Sequence, residues 1–335
     1  MSRQYQNVEK QLNKMLTDKI VPGISCALIH DQQVTKFIAG MAAVTPVKRK
    51  LRPQMTYDVA SLTKVVGTEL LISQLVETGQ LAYDQPVIEI LPHFFDSRVT
   101  VRHLLTHTSG ITGYIPHRNQ LTNTQLLRAL FTLRIGSDFN KKVVYSDLNY
   151  IFLGLIAEHL LHEPVQLAIT HRILQPLKLN QSTFHPDPLT CVPTEWQGDS
   201  GLVCGVVHDP KARILGAHCG SAGLFSTLDD LTKFVRWLLN PTQNQAVVQP
   251  ATVAQLFQNQ TANPQLTRSF GWGLIKHHDH WVLKHSGFTG TMLLVDSTTQ
   301  NALVFLSNRI HPTAENQIYF TYRQAVIDAF LETDC

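Results

Sequence analysis

The sequence predicts a mixed α/β (α+β) fold: an antiparallel sheet flanked by N- and C-terminal helices, with a mainly helical lobe inserted between the two halves of the sheet. Three observations carry this. Strand-like apolar runs lie near both ends of the 335-residue chain. Apolar residues at helical spacing fill the middle. Hydrophobic residues make up 44% and charged residues 16%, a globular composition with enough apolar side chains for a sizeable core. The simplest packing joins both ends into one sheet. Residues 1–56 and 270–335 then form a sheet lobe and residues 57–269 a helical lobe, with the cleft between them as the natural site.

The elements follow in order. Val8, Leu12 and Met15 recur at helical spacing over the first eighteen residues, and Pro22-Gly23 ends that helix. Ile24–Ile29 reads as a buried strand, and Val34–Ala39 as its hairpin partner after Asp31-Gln32-Gln33. A loop from about Thr45 to Gln54 follows. Ser61 to about Glu77 keeps Leu62, Val65, Val66, Leu70, Leu75 and Val76 on one side, the stripe of an amphipathic helix. Thr124–Leu133, Leu148–Leu161 and Leu228–Leu239 are further helical runs. The stretch from about Pro186 to Gly220 is rich in Pro, Gly and His and reads as an irregular cover over a cleft. Gly271–Ile275, Trp281–Lys284, Met292–Val295 and Leu303–Leu306 read as strands, and Thr313–Leu331 as a terminal helix.

Charge and cysteine usage exclude several classes. The net charge is +3, and the longest basic patch is Lys48-Arg49-Lys50, too sparse for a nucleic-acid face. The five cysteines, Cys26, Cys191, Cys204, Cys219 and Cys335, form no CxxC pair, which indicates neither a disulfide framework nor a zinc site. Cys204 and Cys219 read as buried or idle thiols. The first residues are polar, and no apolar run approaches the length of a membrane span. A reduced, cytoplasmic protein without membrane or nucleic-acid partners is expected; the oligomeric state is not readable.

Three short segments carry chemistry. In Ser61-Leu62-Thr63-Lys64, residues three apart share a helix face, so the hydroxyl and the amine can meet. A serine hydroxyl needs a base to take its proton, and a lysine serves only if its pKa falls. A first-turn position also favours a developing alkoxide. The same four residues fit an N-cap serine and a surface lysine. In Tyr145-Ser146-Asp147, a tyrosine beside such a pair can relay a proton between nucleophile and leaving group, while Ser146 or Asp147 can equally cap the helix from Leu148. His285-Ser286-Gly287 ends a predicted strand, where backbone N–H groups can face an oxyanion and a glycine permits close approach. A plain turn before Phe288-Thr289-Gly290 fits as well.

In order and spacing, these segments resemble the serine beta-lactamase and penicillin-binding-protein superfamily. The likeness is to its class C beta-lactamase branch, which also holds family VIII esterases, D-aminopeptidases and D-alanyl-D-alanine carboxypeptidases. The SxxK motif is here Ser61–Lys64, Tyr-x-Asn is Tyr145-Ser146-Asp147, and Lys-Thr-Gly or His-x-Gly is His285-Ser286-Gly287. Leu104–Gly110, Gly223–Thr227 and Gly271–Leu274 look like the same family, and the resemblance runs over about residues 5–330. It implies Ser61 as nucleophile, Lys64 and Tyr145 as catalytic partners, and an oxyanion site from the N–H groups of Ser61 and Phe288. Asp147, His285, Ser286, Gly287 and Phe288 would bind substrate, and no metal or cofactor is called for.

Two departures matter. Asp147 stands where the branch has Asn; an ionised Asp only accepts hydrogen bonds, and its charge would raise the Lys64 pKa unless Tyr145 serves as base. His285 stands where lactamases have Lys and is largely neutral at pH 7. Both favour esterase or D-peptidase-like activity over efficient beta-lactam hydrolysis. The substrate class is thus an ester, amide or lactam carbonyl on a small molecule or short peptide. The alternative is a catalytically silent relative that binds wall fragments or a partner protein.

Other motifs do not compete. The class A register, Ser-Asp-Asn, fails because Leu148 follows Ser146-Asp147. GxSxG is absent, since Ala27 occupies the second glycine position after Ser25. His277-His278-Asp279-His280 reads as an exposed hairpin turn rather than a metal site, and His107 and Ser109 as structural. Trp272, Trp281 and Phe288 fit either an acyl pocket or the core.

Overall fold

A computed structural model describes residues 5–31, 33–198 and 201–334. The elements that position the site are, in chain order, α1 (Gln6–Thr17), β1 (Gly23–His30), β2 (Gln33–Ala43), β3 (Arg49–Lys50), α2 (Glu69–Glu77), α3 (Asp147–Leu161), α4 (Leu228–Leu239), β4 (Gly273–His277), β5 (His280–Gly287), β6 (Thr291–Asp296), β7 (Asn301–Ser307) and α5 (Tyr319–Leu331). The seven strands form one sheet in the order β3-β2-β1-β7-β6-β5-β4. Neighbours throughout are antiparallel. The two ends of the chain meet where β1 pairs β7, Ile24 opposite Ser307 and His30 opposite Asn301.

Alternation along the central strands sends side chains to two cores. Ile24, Cys26 and Leu28 of β1 and Leu303 and Phe305 of β7 join Val8, Leu12 and Met15 of α1 and Val326, Ile327 and Phe330 of α5. Ala27, Ile29, Ala302, Val304 and Leu306 face the other way, onto Leu231, Phe234, Val235 and Leu238 of α4 and the remaining helices. Both faces of the sheet are covered, which is why its central strands read as continuous apolar runs.

Several expectations need adjustment. The hairpin partner is longer than Val34–Ala39, since β2 runs on to Ala43. In the expected hairpin turn, Gln32 lies outside the described residues and Gln33 already belongs to β2. The helix after Ser61 opens with a π-helical turn over Lys64–Thr68 before becoming α2. The expected run Thr124–Leu133 is helical over Asn123–Leu130, with Thr122 as a capping-box N-cap. The terminal helix begins at Tyr319 rather than Thr313, with residues 313–318 in loop. The stretch from 186 to 220 is not wholly irregular, because Asp209 caps a short helix over Pro210–Leu215. That start is Asp followed by Pro at the first helical position, a readable signal. His277 and His280 end two paired strands, so the histidine cluster is a hairpin turn, as expected. Cys26, Cys191 and Cys219 are buried free thiols and Cys204 a partly buried one; Cys335 lies outside the described residues. Among the described residues no helix is long and apolar enough to cross a membrane.

Candidate active site

The segment leading to Ser61 is fixed from three sides. Tyr57 and Asp58 pair with Ser226 and Phe225. The buried Asp58 carboxylate accepts from the N–H groups of Ala60 at 2.8 Å and His208 at 2.7 Å. Burial pushes that carboxyl up from its ordinary value, against the opposing pull of the His208 and Ala60 N–H groups. From the sheet, the hydroxyls of Thr289 and Thr291 donate to the carbonyls of Asp58 and Val59 at 2.7 and 3.1 Å. Gly287 permits this close approach: a Cβ there would lie 2.5 Å from the Val59 carbonyl oxygen. Ala60 adopts a left-handed conformation at φ 48°, and Ser61 follows at the turn into the helix. Thr63 completes the frame, donating to the Ala60 carbonyl and accepting from Leu224 N–H.

Lys64 is fully buried, and its three N–H donors are all committed: to Ser61 Oγ at 2.8 Å, Asp147 Oδ1 at 2.7 Å and the Ser221 carbonyl at 2.8 Å. Burial alone would drive the ammonium toward its neutral form. The charges of Tyr145 and Asp147, with the Asp147 hydrogen bond, more than offset it, so the Lys64 pKa is raised.

Ser146 is the N-cap of α3, accepting from Leu148 N–H, and Asp147 is its first helical residue. Asp147 reaches Lys211 Nζ with its second oxygen at 3.1 Å. Burial would raise its pKa, but Lys64 and Lys211 outweigh burial and hold it at about 2. Tyr145 is about half exposed. Its ring lies 4.5 Å from that of His107, with Lys64 Nζ 5.3 Å and Arg268 Cζ 5.6 Å from its centroid. His107 lies buried beside Tyr145, and its Nδ1 accepts from the Ser146 N–H and bonds Asn149.

Ser61, Tyr145, Asp147 and Phe288 line one cavity of about 340 Å³, with Lys64 beneath it. Lys211, His208 and Asp209, from the stretch expected to be irregular, also line it, and Phe288 stacks on His208 at 5.4 Å. Residues 208–211 of that stretch therefore border the cleft. A second cavity of about 290 Å³, with Leu126, Leu130, Leu133 and Leu148 in its wall, adjoins it across Tyr145, Asp147 and Lys211. His285 and Ser286 instead line a groove on the other side of Tyr145, together with Arg268 and Lys284. His285 is buried against the edge of Trp272, and burial first, then the charges of Arg268 and Lys64, hold its pKa well below the ordinary value. It presents no positive charge. Trp272 is core, and Trp281 lies under Lys276 on the hairpin.

Sequence reasoning missed Lys211 and Arg268. Neither sits in a spaced motif, and each meets Tyr145 or Asp147 across more than sixty residues of chain. Among the described residues no group of His, Cys, Asp or Glu has the arrangement of a metal site.

A polar, water-accessible serine bonded to a buried lysine, at the junction of a two-faced antiparallel sheet and a helical layer, defines the class of serine hydrolases. The profile of the Beta-lactamase family matches residues 6–326, and the chain belongs to that family. A relative from Escherichia coli O157:H7, provisionally named a D-alanyl-D-alanine carboxypeptidase, is 26% identical over 382 aligned positions, covering 93% of this chain and 85% of that protein. Two solved structures share the fold. The hydrolase EstCE1, described as having promiscuous acyltransferase activity, has a TM-score of 0.79 at 20% identity, covering 98% of both chains. A class C beta-lactamase has a TM-score of 0.77 at 18% identity, covering 98% of this chain and 96% of that one.

Proposed function

We propose that this serine hydrolase acts on small esters or D-amino-acid amides and peptides in preference to beta-lactams, with Ser61 as its nucleophile. The carrying observation is the 2.8 Å bond from Lys64 Nζ to Ser61 Oγ. Lys64, held protonated and fully committed, is the electrostatic partner, and Tyr145 is the group that moves the proton. As Oγ bonds the substrate carbonyl carbon, the Ser61 proton passes to the Tyr145 oxygen while the Tyr145 hydroxyl proton moves on toward the leaving group. Negative charge on the phenol oxygen is stabilised by Lys64 and Arg268. The backbone N–H groups of Ser61 and Phe288 hold the oxyanion. Collapse breaks the bond to the leaving group, which takes its proton from Tyr145. Water then attacks the acyl-enzyme, passing its proton to Tyr145, which returns one to Ser61 Oγ as the ester bond breaks.

The substrate preference rests on two residues. Asp147 accepts from both lysines and cannot donate, and neutral His285 supplies no fixed cation for the carboxylate of a lactam drug. Gly287 and Ser286 bring the end of β5 beside the site. We also propose the division into a sheet lobe (1–56, 270–335) and a helical lobe (57–269), and residence in the cytoplasm, where the free thiols stay reduced.

The test is hydrolysis of p-nitrophenyl acetate and butyrate beside nitrocefin, with the Ser61→Ala protein as control. Ester turnover should exceed nitrocefin turnover, and the variant should lose at least about a thousandfold in kcat. Retained ester turnover in Ser61→Ala would sink the nucleophile assignment. Fast nitrocefin turnover would sink the preference. A fluorophosphonate probe should label wild type at Ser61; an unlabelled protein would favour the silent-binder reading.

A further inference from the structure

A guanidinium is costly to bury away from any anion. Arg309, two residues past the end of β7, is 3% exposed, and its Nε has no hydrogen-bond partner among the described residues. Its Nη1 donates to the Phe288 carbonyl at 2.7 Å. The rest of the group packs on rings: Cζ lies 5.0 Å from the Phe288 centroid, 5.3 Å from that of Tyr319 and 4.8 Å from that of Phe320. The cation thus reaches from the start of α5 to a corner of the turn beside Ser61. That turn, Gly287–Gly290, closes through Gly290 N–H on the Gly287 carbonyl at 3.2 Å, and Ser307 Oγ donates to the Gly290 carbonyl at 2.8 Å. Neither bond holds the peptide between its corners, Phe288 and Thr289. Arg309 does. Without that donor the peptide is free to rotate, which pulls Thr289 Oγ1 from the Asp58 carbonyl it anchors and shifts Phe288 N–H relative to Ser61.

We propose that Arg309 is a positioning residue for the oxyanion: it fixes the Phe288–Thr289 peptide and so aims the Phe288 N–H at the oxygen that gains charge when Ser61 attacks. This rests on the Ser61 and Phe288 roles proposed above. Arg309 itself touches no substrate and acts through Phe288. Its planar group can stack on the rings while one N–H points straight at the carbonyl, which an ammonium cannot do.

The test compares Arg309→Met with Arg323→Met. Both remove a guanidinium from the same rings, since Arg323 Cζ lies 5.0 Å from the Phe320 centroid and 5.9 Å from that of Tyr319, but only Arg309 bonds Phe288. With p-nitrophenyl butyrate, Arg309→Met should lower kcat by about tenfold and leave KM within about threefold, because the loss is felt as charge develops. Arg323→Met should leave both within about twofold. The carbonyl stretch of the butyryl-enzyme, followed by rapid-mixing infrared spectroscopy, should move to higher wavenumber in Arg309→Met alone, as the hydrogen bonds to that oxygen weaken. Arg309→Lys, which keeps a donor but not the flat stack, should fall between wild type and Arg309→Met and serves if the Met variant does not fold. Equal kcat losses in the Arg309 and Arg323 variants, a loss confined to KM, or an unmoved carbonyl band would overturn the proposal. Failure of the underlying roles reads out separately: butyrate turnover survives Ser61→Ala if the nucleophile is wrong, and the band stays put in Gly287→Ala as well if Phe288 N–H is not the donor.

Discussion

Glu69 lies one turn beyond Lys64, fully buried, with one oxygen accepting from Ser73 Oγ at 2.7 Å and the other without a hydrogen-bond partner among the described residues. Burial pushes its carboxyl up to about 8, against the Ser73 hydrogen bond. The folded pKa exceeds the unfolded one, so its stabilising contribution is full below about pH 4.3 and is lost as pH rises through about 8. The melting temperature should therefore fall between pH 6 and 9, and Glu69→Gln should flatten that fall. An unchanged slope in the variant would mean that the carboxyl ionises without cost. Asp147 has the opposite sign: its depressed pKa gives stability above about pH 4 that fades as pH falls toward 2. At this scale, the meeting of Ser61 and Lys64 was legible from three-residue spacing, whereas Tyr145 and Asp147 entered the candidate site through the resemblance in motif order. Lys211 and Arg268 were not legible, because long-range packing brings them in and no local periodicity records it. His285 was legible as a position, but its burial away from the Ser61 cavity depends on Trp272 and could not be read from the chain.

Among the elements, the end of β5 and the turn into β6 act on Ser61 through the backbone. Gly287 lets the strand close on Val59, and Thr289 and Thr291 tie it there. Gly287→Ala must push the strand from the nucleophile segment, so kcat for p-nitrophenyl butyrate should fall by more than about tenfold, a larger effect than the accompanying drop in melting temperature implies. Thr291→Val loses one buried hydrogen bond and should cost about 1 kcal/mol in urea unfolding. Strand and helix positions were mostly legible from alternation and apolar stripes. The π-helical turn at Lys64–Thr68 was not: the extra residue per turn answers to packing, where Thr68 Oγ reaches the Gly220 carbonyl at 2.6 Å.

For the whole molecule, the sheet separates the chemistry from its support. Leu62, Val65 and Val66 pack on one side, and α1 and α5 on the other. Leu12→Ala in α1 should cost about 2–5 kcal/mol by urea denaturation yet leave ester kcat near wild type below the transition. A matching loss of kcat would mean that the sheet transmits strain to the site. The joining of both chain ends into one sheet was legible, since the hairpin at the start and the strands at the end each leave an apolar edge strand to be paired. Strand order was not, because several antiparallel arrangements bury the same residues.

That order has a consequence for biosynthesis. β1 lies between β2 and β7, so the second strand neighbour of residues 24–30 is not translated until residues 301–307 emerge. On the ribosome the hairpin β1–β2 must wait with one edge open while more than 250 intervening residues are made, a long exposure of unpaired backbone. A nascent chain arrested before residue 301 should be held by chaperones or aggregate, and release of the last strand should be the event that makes it protease-resistant.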